Sequence, residues 1–389
     1  MKTTLSMLLT ALIAAAASPA EQKIQAAKAS IAAHPKSAQG YVDLAFAFTR
    51  RAREISDVSF YDQAQTAVQK ALQLEPTSFA AAKAEVWILL GKHEFAKARD
   101  KARALNQRMP DDVLTYGFLA DANAELGDYD EAEKAVQWML NLRPGNIPAL
   151  TRTAYLRELF GDLEGAFDAM RMAFEATSPV ETEDRAWILT QLAHVRIAQG
   201  RINDAERLLS HALAIFPGYH YALANLAKVR IEQKRCDEAV ALLRSRFQAA
   251  PHAENLYALA EALELAGRLE EARRAFADFE KQSRAEMMRP DNSNHELVFY
   301  YTDHARRPVE ALRVAQIEFD RRHDVYTLDA YAWALHANGR DAEARAHMER
   351  ALAVGIRNRE ILAHAVKLGI RNTNLPSVAL SAYTGPNDD

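Results

Sequence analysis

One sequence feature constrains the fold of this chain more than any other: a unit of about 34 residues that recurs along it. The unit is clearest in residues 113–146, VLTYGFLADANAELGDYDEAEKAVQWMLNLRPGN. Tyr116 and Ala120 stand one helical turn apart, on one face of a first helix. Gly127 breaks that helix, because glycine adopts the backbone angles of a turn. Pro144 ends a second helix, since proline cannot donate a main-chain hydrogen bond. The unit therefore predicts two short helices joined by a tight turn.

Small residues and glycines mark the unit at constant offsets. A small residue opens the second helix of successive units, at Ala98, Ala132, Ala166, Ala205, Ala239, Ala272, Ala311 and Ala344. Glycines stand at a fixed distance before several of these alanines, at Gly127, Gly161, Gly200, Gly267 and Gly339. One helix pair cannot bury its own apolar face, so the units are expected to stack around a continuous core. We therefore predict an all-α helical solenoid.

This pattern resembles the tetratricopeptide repeat (TPR) family, whose signature is W-x2-L-G-x2-Y, then A-x3-F, then P, at a period of about 34 residues. The corresponding residues here are Tyr116-x2-Leu119-Ala120-x2-Asn123, Ala132-x3-Val136 and Pro144. The resemblance implies a TPR-type helix-turn-helix repeat solenoid, a right-handed superhelix, with about nine repeats over residues 38–357. It also implies that the first helices line a concave groove that holds peptides or partner segments.

The N-terminus, residues 1–20, is typical of a secretory signal peptide. Lys2 precedes an apolar run, Leu5 to Ala17, that is too short for an ordinary membrane span. Small residues allow cleavage after Ala17 or after Ala20. An uncleaved anchor or an alanine helix is the alternative. Cleavage predicts an exported chain with no stable membrane span, periplasmic or extracellular if the source is bacterial.

The remaining segments frame the solenoid. We expect an N-terminal capping helix over residues 21–37, a C-terminal capping helix over 358–369 and a flexible tail over 370–389. The polar residues 289–294 are the best candidate for a bend.

The first repeat is stretched, because Ala45 and Ala64 stand farther apart in the sequence than the equivalent Ala120 and Ala132 of the reference unit. The inserted stretch would add two helical turns and carries Arg50, Arg51 and Arg53. We expect longer helices that project beyond the solenoid edge, with a tip that is solvated or that docks a partner.

Composition and motifs argue against several functions. The net charge of −4 and the lack of a basic stripe disfavour nucleic acid as a partner. The single cysteine, Cys236, excludes an intrachain disulfide. His93-Glu94 and His295-Glu296 begin like the zinc motif H-E-x-x-H but lack its second histidine. We therefore expect no metal, no cofactor and no enzymatic activity.

The family register places groove residues on the first helix of each repeat. The predicted partner-binding residues are Phe46, Glu85, Asp121, Tyr155, Trp187, His194, Tyr221, Lys228, Tyr257, Glu261, Tyr300, Tyr326, Trp333 and His336. Glu296 and Asp329 are further candidates. The set is aromatic and acidic, and aromatic side chains are good interface anchors. Independently of the register, the default expectation for all four tryptophans is packing in the core or between repeats: Trp87, Trp138, Trp187 and Trp333.

These residues predict a non-catalytic scaffold that binds a protein or peptide segment in the groove and supports an envelope or periplasmic assembly. One alternative is a binding protein for a small molecule or glycan. It predicts that the site residues cluster in one pocket, such as one around Tyr300, Tyr326, Trp333 and His336. An enzyme with an unrecognised site is another alternative.

Overall fold

The computed structural model describes residues 17–370, which form twenty α-helices and no β-strand. A π-helical turn, Tyr300–His304, continues α16. The helices are α1 (Pro19–Ala33), α2 (Ala38–Ile55), α3 (Ser59–Leu74), α4 (Phe79–Gly91), α5 (Phe95–Arg108), α6 (Val113–Leu126), α7 (Tyr129–Leu142), α8 (Ile147–Leu159), α9 (Leu163–Ala176), α10 (Thr182–Ala198), α11 (Ile202–Ile215), α12 (His220–Glu232), α13 (Cys236–Ala249), α14 (Ala253–Leu265), α15 (Leu269–Glu286), α16 (Asn294–Phe299), α17 (Pro308–Phe319), α18 (Val325–Ala337), α19 (Asp341–Ala353) and α20 (Arg359–Lys367).

Helices α2 to α19 form successive hairpins, with an even-numbered helix first and an odd-numbered helix second. Neighbouring even-numbered helices also pack on one another, as α2 does on α4 and α10 does on α12. The odd-numbered helices pack mainly on their own partner and on the even-numbered helix that follows. The even-numbered helices therefore form the inner layer of a curved stack. The predicted all-α solenoid of helix-turn-helix repeats is confirmed.

The recurring alanines explain how closely the helices approach. All eight of the alanines that open the second helices, from Ala98 to Ala344, are fully buried. A larger side chain at these positions would push the two helices of a hairpin apart, because cores packed to this density do not absorb extra atoms without strain.

The turn between the two helices of a hairpin keeps one left-handed residue. Gly127 adopts a φ of +84°, and the four equivalent glycines also have positive φ. In three repeats without the glycine, the residue at the same place in the turn adopts the same conformation: His93, Lys234 and Arg306. The turn geometry is therefore repeated along the solenoid even where a side chain makes it unfavourable.

The solenoid turns far enough for early repeats to reach late ones. The largest apolar cluster joins residues of α4–α8 to residues of α12–α20, whereas residues from α8 to α12 form a second cluster. Cores of distant repeats can merge in this way only when the superhelix brings one turn onto the next.

Both ends of the chain lie partly outside the residues that the structure describes. Residues 1–16, most of the predicted signal peptide, and residues 371–389, most of the predicted tail, lie outside the described range. The first helix begins at Pro19, inside the segment predicted to be removed. Between residues 17 and 370, no helix has the length and apolar character required to cross a bilayer.

Candidate functional site

All fourteen predicted partner-binding residues lie on the even-numbered helices α2–α18 or on the π-helical turn that continues α16. We call this layer the inner surface. Its accessibility depends on two contacts between distant repeats.

The first is the arginine contact, in which the end of α2 packs against the start of α10. Arg50 Nη2 lies 2.6 Å from Glu181 Oε2 and 2.9 Å from Asp184 Oδ2. Arg53 pairs with the fully buried Glu183 and lies 2.6 Å from Asp184 Oδ1. The prediction of a solvated or partner-docking tip is therefore wrong, because Arg50 and Arg53 bind the acidic start of α10 in the same chain. The third arginine, Arg51, pairs with Glu54 of its own helix.

Neighbouring helices extend the arginine contact. The Tyr219 hydroxyl donates to Glu183 at 2.7 Å, so the buried carboxylate has a second partner. The ring of His220 lies 3.1 Å from the Arg53 carbonyl oxygen, and the ring of His252 contacts the carbonyl oxygen of Ser56. Burial lowers the pKa of His220 to about 4, so this ring is neutral at physiological pH.

The second is the glycine contact, between the turn after α6 and the start of α18. A Cβ at Gly127 would lie 2.6 Å from the carbonyl oxygen of His323, so only glycine permits this approach. The Val325 N–H donates to the Tyr129 hydroxyl at 2.9 Å. Early repeats therefore pack edge to edge on late ones, and protein closes this side of the inner surface.

Arg322 forms ion pairs with two carboxylates beside the glycine contact. Arg322 Nη1 lies 3.2 Å from Glu125 Oε2, and Arg322 Nε lies 3.5 Å from Asp324 Oδ2. Burial, together with the nearby Asp324, raises the pKa of Glu125 to about 7 despite the guanidinium. The inner surface at this point is crowded with carboxylates.

Two predicted residues from distant repeats, Tyr155 of α8 and Tyr326 of α18, lie near the carboxylates beside the glycine contact. Burial raises the pKa of Tyr155 well above its usual value, and the nearby Glu125 and Tyr326 add to this rise. Both side chains are half-buried, and within residues 17–370 neither hydroxyl makes a hydrogen bond. His194 Nε2 lies 2.7 Å from Glu158 Oε1. Burial raises the pKa of Tyr326, and the nearby Glu158 carboxylate adds to this rise. We call Tyr155, Tyr326, Glu158 and His194 the tyrosine cluster.

Carboxylates also line the inner surface of later repeats. His304 Nδ1 lies 3.1 Å from Glu264 Oε2. Burial lowers the pKa of His304, but hydrogen bonds to Glu261 and Glu264 outweigh it and raise that pKa to about 9. Burial and the neighbouring Glu254 raise the pKa of Glu296 to about 7. This part of the inner surface is acidic.

The predicted residues near the C-terminus have partners within the fold. Trp333 is only 8% exposed, donates from Nε1 to Asp303 Oδ1 at 2.8 Å and stacks on His364 of α20, with ring centres 4.2 Å apart. His336 Nδ1 lies 2.7 Å from Asp341 Oδ1. Trp333 thus anchors the last helix to α18 instead of presenting its ring.

Other predicted residues also contact their neighbours. Glu85 pairs with Lys101 at 2.9 Å, and the Arg152 Nε–H donates to Asp121 at 2.8 Å. The rings of Phe46 and Trp87, of Tyr221 and His220, of Tyr257 and Phe279, and of Tyr300 and Phe276 are in contact. Trp187 is half-buried against the core, and Lys228 is exposed.

The odd-numbered helices form the outer surface, and a tryptophan on one of them is more exposed than expected. Trp138, expected in the core or between repeats, is 52% exposed and stacks on Tyr116.

A shallow depression of about 300 Å³ lies between α12 and α13, lined by residues that include Leu226 and Arg230. None of the predicted site residues lines it.

No group of three or more His, Cys, Asp or Glu side chains within residues 17–370 is arranged to hold a metal ion. The side chains of the inner surface offer hydrogen bonds, charge and aromatic area, which suit binding.

Together, the fold and the inner surface define a TPR-type solenoid. Sequence models of the tetratricopeptide repeat match residues 196–254, and residues 256–278 with 325–350. These segments of the chain therefore match tetratricopeptide repeats. The matched segments lie in the later hairpins of the solenoid.

Among curated proteins, the chain is similar to the cellulose synthase operon protein C of Xanthomonas axonopodis pv. citri (strain 306). The two are 30% identical over 118 residues, which is 29% of this chain and 8% of that protein. The chain therefore spans less than a tenth of the length of this relative.

Among solved structures, the chain resembles one in the APC/C hetero-tetramer Cut9–Hcn1, with a TM-score of 0.52, 15% identity and coverage of 88% of this chain and 58% of that one. It also resembles human IFIT1 in a dimer with PPP-AAAA, with a TM-score of 0.52, 13% identity and coverage of 82% and 90%. Similarity at these identities is evidence for the fold alone.

Sequence reasoning missed the residues that close the solenoid. Arg322, Tyr129, Glu183 and His252 each contact a residue several repeats away in the sequence. No local pattern marks them, apart from the acidic stretch that starts α10.

Proposed function

We propose that this chain is a non-catalytic scaffold that binds a segment of a partner protein along its inner surface. The support is a TPR-type solenoid whose even-numbered helices carry aromatic and acidic side chains. A protein partner that contacts several repeats requires a long, shaped surface, and a solenoid supplies one.

The observation that carries the proposal is the tyrosine cluster. Tyr155 and Tyr326 are half-buried, come from widely separated repeats of the solenoid and have hydroxyls that no described residue engages. Tyrosine combines apolar area with a hydrogen-bonding tip, so it is well suited to an interface. Because carboxylates surround the pair, the bound segment is expected to present N–H or cationic donors.

We further propose that the scaffold is exported and supports an assembly in the bacterial envelope. The N-terminal sequence has the form of a secretory leader. The relative named for a cellulose synthase operon comes from a bacterium, and its name fits an envelope setting.

The alternative of a small-molecule or glycan pocket receives less support. It predicts that Tyr300, Tyr326, Trp333 and His336 cluster together. Instead, the Tyr300 ring packs on Phe276, and Trp333 is buried against His364. The rings of Trp333 and His336 are neighbours, with centres 5.2 Å apart, but Tyr300 packs elsewhere and Tyr326 belongs to the tyrosine cluster. The contacts therefore do not bring all four side chains into one pocket.

The test is affinity capture from bacterial envelope extract with the full chain as bait. Tyr155→Phe with Tyr326→Phe removes two hydroxyls and keeps the rings, so the fold should persist. Trp138→Ala is the control on the outer surface. We expect a partner retained by the wild type and Trp138→Ala but lost with the double variant. A partner lost only with Trp138→Ala would contradict the proposal and place binding on the outer surface.

A further inference from the structure

The first turn of α1 is built into the fold. Ser18 and Glu21 form a capping box, in which the Glu21 N–H donates to Ser18 Oγ at 3.2 Å and the Ser18 N–H donates to Glu21 Oε2 at 2.9 Å. Pro19 occupies the first helical turn, where its missing N–H is not needed. Ala20 is fully buried. Residues 18–21 therefore start a helix and do not act as a linker to it.

The buried carboxylate of Glu54, on α2, accepts hydrogen bonds from the same turn. Glu54 is 2% exposed, and its carboxylate accepts hydrogen bonds from the Ser18 hydroxyl at 2.6 Å, the Ala20 N–H at 3.0 Å and Arg51 Nη1 at 3.0 Å. A buried carboxylate is costly unless its oxygens are hydrogen-bonded. Two of the three donors belong to residues 18–20.

The two cleavage positions that the sequence offers have opposite consequences for Glu54. Cleavage after Ala20 removes both the Ser18 and the Ala20 donor and leaves Arg51. Cleavage after Ala17 keeps all three. The hydrogen bond that it disrupts, from Gln22 Nε2 to the Ala17 carbonyl oxygen, is exposed.

We propose that the Ala17–Ser18 bond is the processing site and that Ser18 is the first residue of the mature chain. This inference rests on the proposed export. It selects one of two sites that are equally acceptable as small-x-small sequences.

The reaction is a hydrolysis by an export peptidase that recognises Ala15 and Ala17. Water adds to the carbonyl carbon of Ala17, and the C–N bond to Ser18 breaks. The leader leaves with a carboxylate on Ala17, and the Ser18 nitrogen takes a proton to become an ammonium. That nitrogen already lies 2.9 Å from Glu21 Oε2, so the new charge acquires a carboxylate partner.

N-terminal sequencing and intact mass of the full chain, expressed in a bacterium with its own leader, test the site. We expect the chain in the envelope fraction to begin at Ser18. Ala17→Arg should abolish processing, whereas the matched variant Ala16→Arg changes the tolerated middle position and should still be processed. A chain that begins at Glu21, or normal processing of Ala17→Arg, would overturn the site and leave export intact. An unprocessed wild type absent from the envelope fraction would overturn both.

A folded-state measurement tests the physical reason independently of export. Two chains that lack the leader, one beginning at Ser18 and one at Glu21, are compared by thermal unfolding. We expect a lower unfolding midpoint for the shorter chain, partly recovered by Glu54→Gln, because a buried amide is less costly than an unpaired carboxylate. Equal midpoints would show that Glu54 does not need residues 18–20, and the inference would fail.

Discussion

The arginine contact and the glycine contact do the same job with different chemistry. Both join repeats that are distant in the sequence. The arginine contact uses long side chains on a lengthened helix, with Arg53 reaching the buried Glu183. The glycine contact brings backbones together, because Gly127 leaves room for the His323 carbonyl. The comparison shows that distant repeats of a solenoid can be joined in two ways: by charged side chains that span the space between them, or by backbones in direct contact.

The two contacts should respond differently to perturbation. Charge pairs are screened by salt, although less so when one partner is buried. A close backbone approach is insensitive to salt but intolerant of added atoms. Four predictions test the residues of the two contacts, from the largest expected effect to the smallest.

Arg53→Ala should have the largest effect. It leaves the buried Glu183 with the Tyr219 hydroxyl as its remaining close partner and is expected to cost about 3 kcal/mol in the free energy of unfolding. Denaturant unfolding measures the loss, and small-angle X-ray scattering should show a larger radius of gyration. Arg171→Ala is the control, because Arg171 pairs with Glu175 on an exposed helix surface. Equal losses in the two variants would contradict a special role for the arginine contact.

Gly127→Ala should cost about 2 kcal/mol, roughly half from the positive φ and half from the clash with His323. Gly267→Ala is a matched control, since Gly267 has a φ of +74° and open space where a Cβ would lie. Only Gly127→Ala should also increase the radius of gyration. If both variants behave alike, the glycine contact does not close the solenoid.

Glu125→Gln should change how stability depends on pH. Because the pKa of Glu125 in the folded chain, about 7, lies above that of an unfolded glutamate, the folded state binds the proton more tightly. The wild type should therefore lose stability relative to Glu125→Gln as pH rises from about 4.3 to about 7, by about 1 kcal/mol because the side chain is partly exposed. Unfolding free energies at several pH values measure this, with the exposed Glu133→Gln as control. Parallel pH profiles for the wild type and Glu125→Gln would refute the prediction.

Lys23→Ala should have the smallest effect. Lys23 pairs with Glu181 at 3.3 Å at the rim of the arginine contact, where both side chains are partly exposed. Exposed ion pairs contribute between about 0 and 1 kcal/mol, and many contribute nothing measurable. Unfolding and scattering curves that overlay those of the wild type would locate the energy of the contact in Arg53 and Glu183. A loss comparable to that of Arg53→Ala would assign it to the exposed rim.

Much of the repeat architecture was predictable from local pattern. The alanines and turn glycines act within one hairpin, so their spacing alone predicted the helix pairs and their close approach. His93, Lys234 and Arg306 were not predicted in the left-handed position, because nothing in those residue types requires it. The exposure of Trp138 was not predicted either, because the residue type alone does not indicate which surface of the solenoid a tryptophan on a helix faces.

The groove residues were predictable only as a layer. Family register placed them all on the inner helices, but it did not indicate that Trp333 would stack on His364 of α20 or that Tyr155 and Tyr326 would lie near the same carboxylates. Those outcomes depend on how far the superhelix turns over many repeats. Small rotations per repeat, altered by the longer steps that lead to Ala205 and Ala311, accumulate along the chain, so local pattern does not specify them.

The sequence by itself determined the repeating hairpin, its period and the side chains available to an inner surface, because each is set within a single repeat. Only the tertiary structure decided that the Arg50–Arg53 tip is occupied by the start of α10, that Gly127 meets His323 and that Glu54 holds the first turn of α1. The physical reason is that these contacts join surfaces that are complementary only after the superhelix has formed.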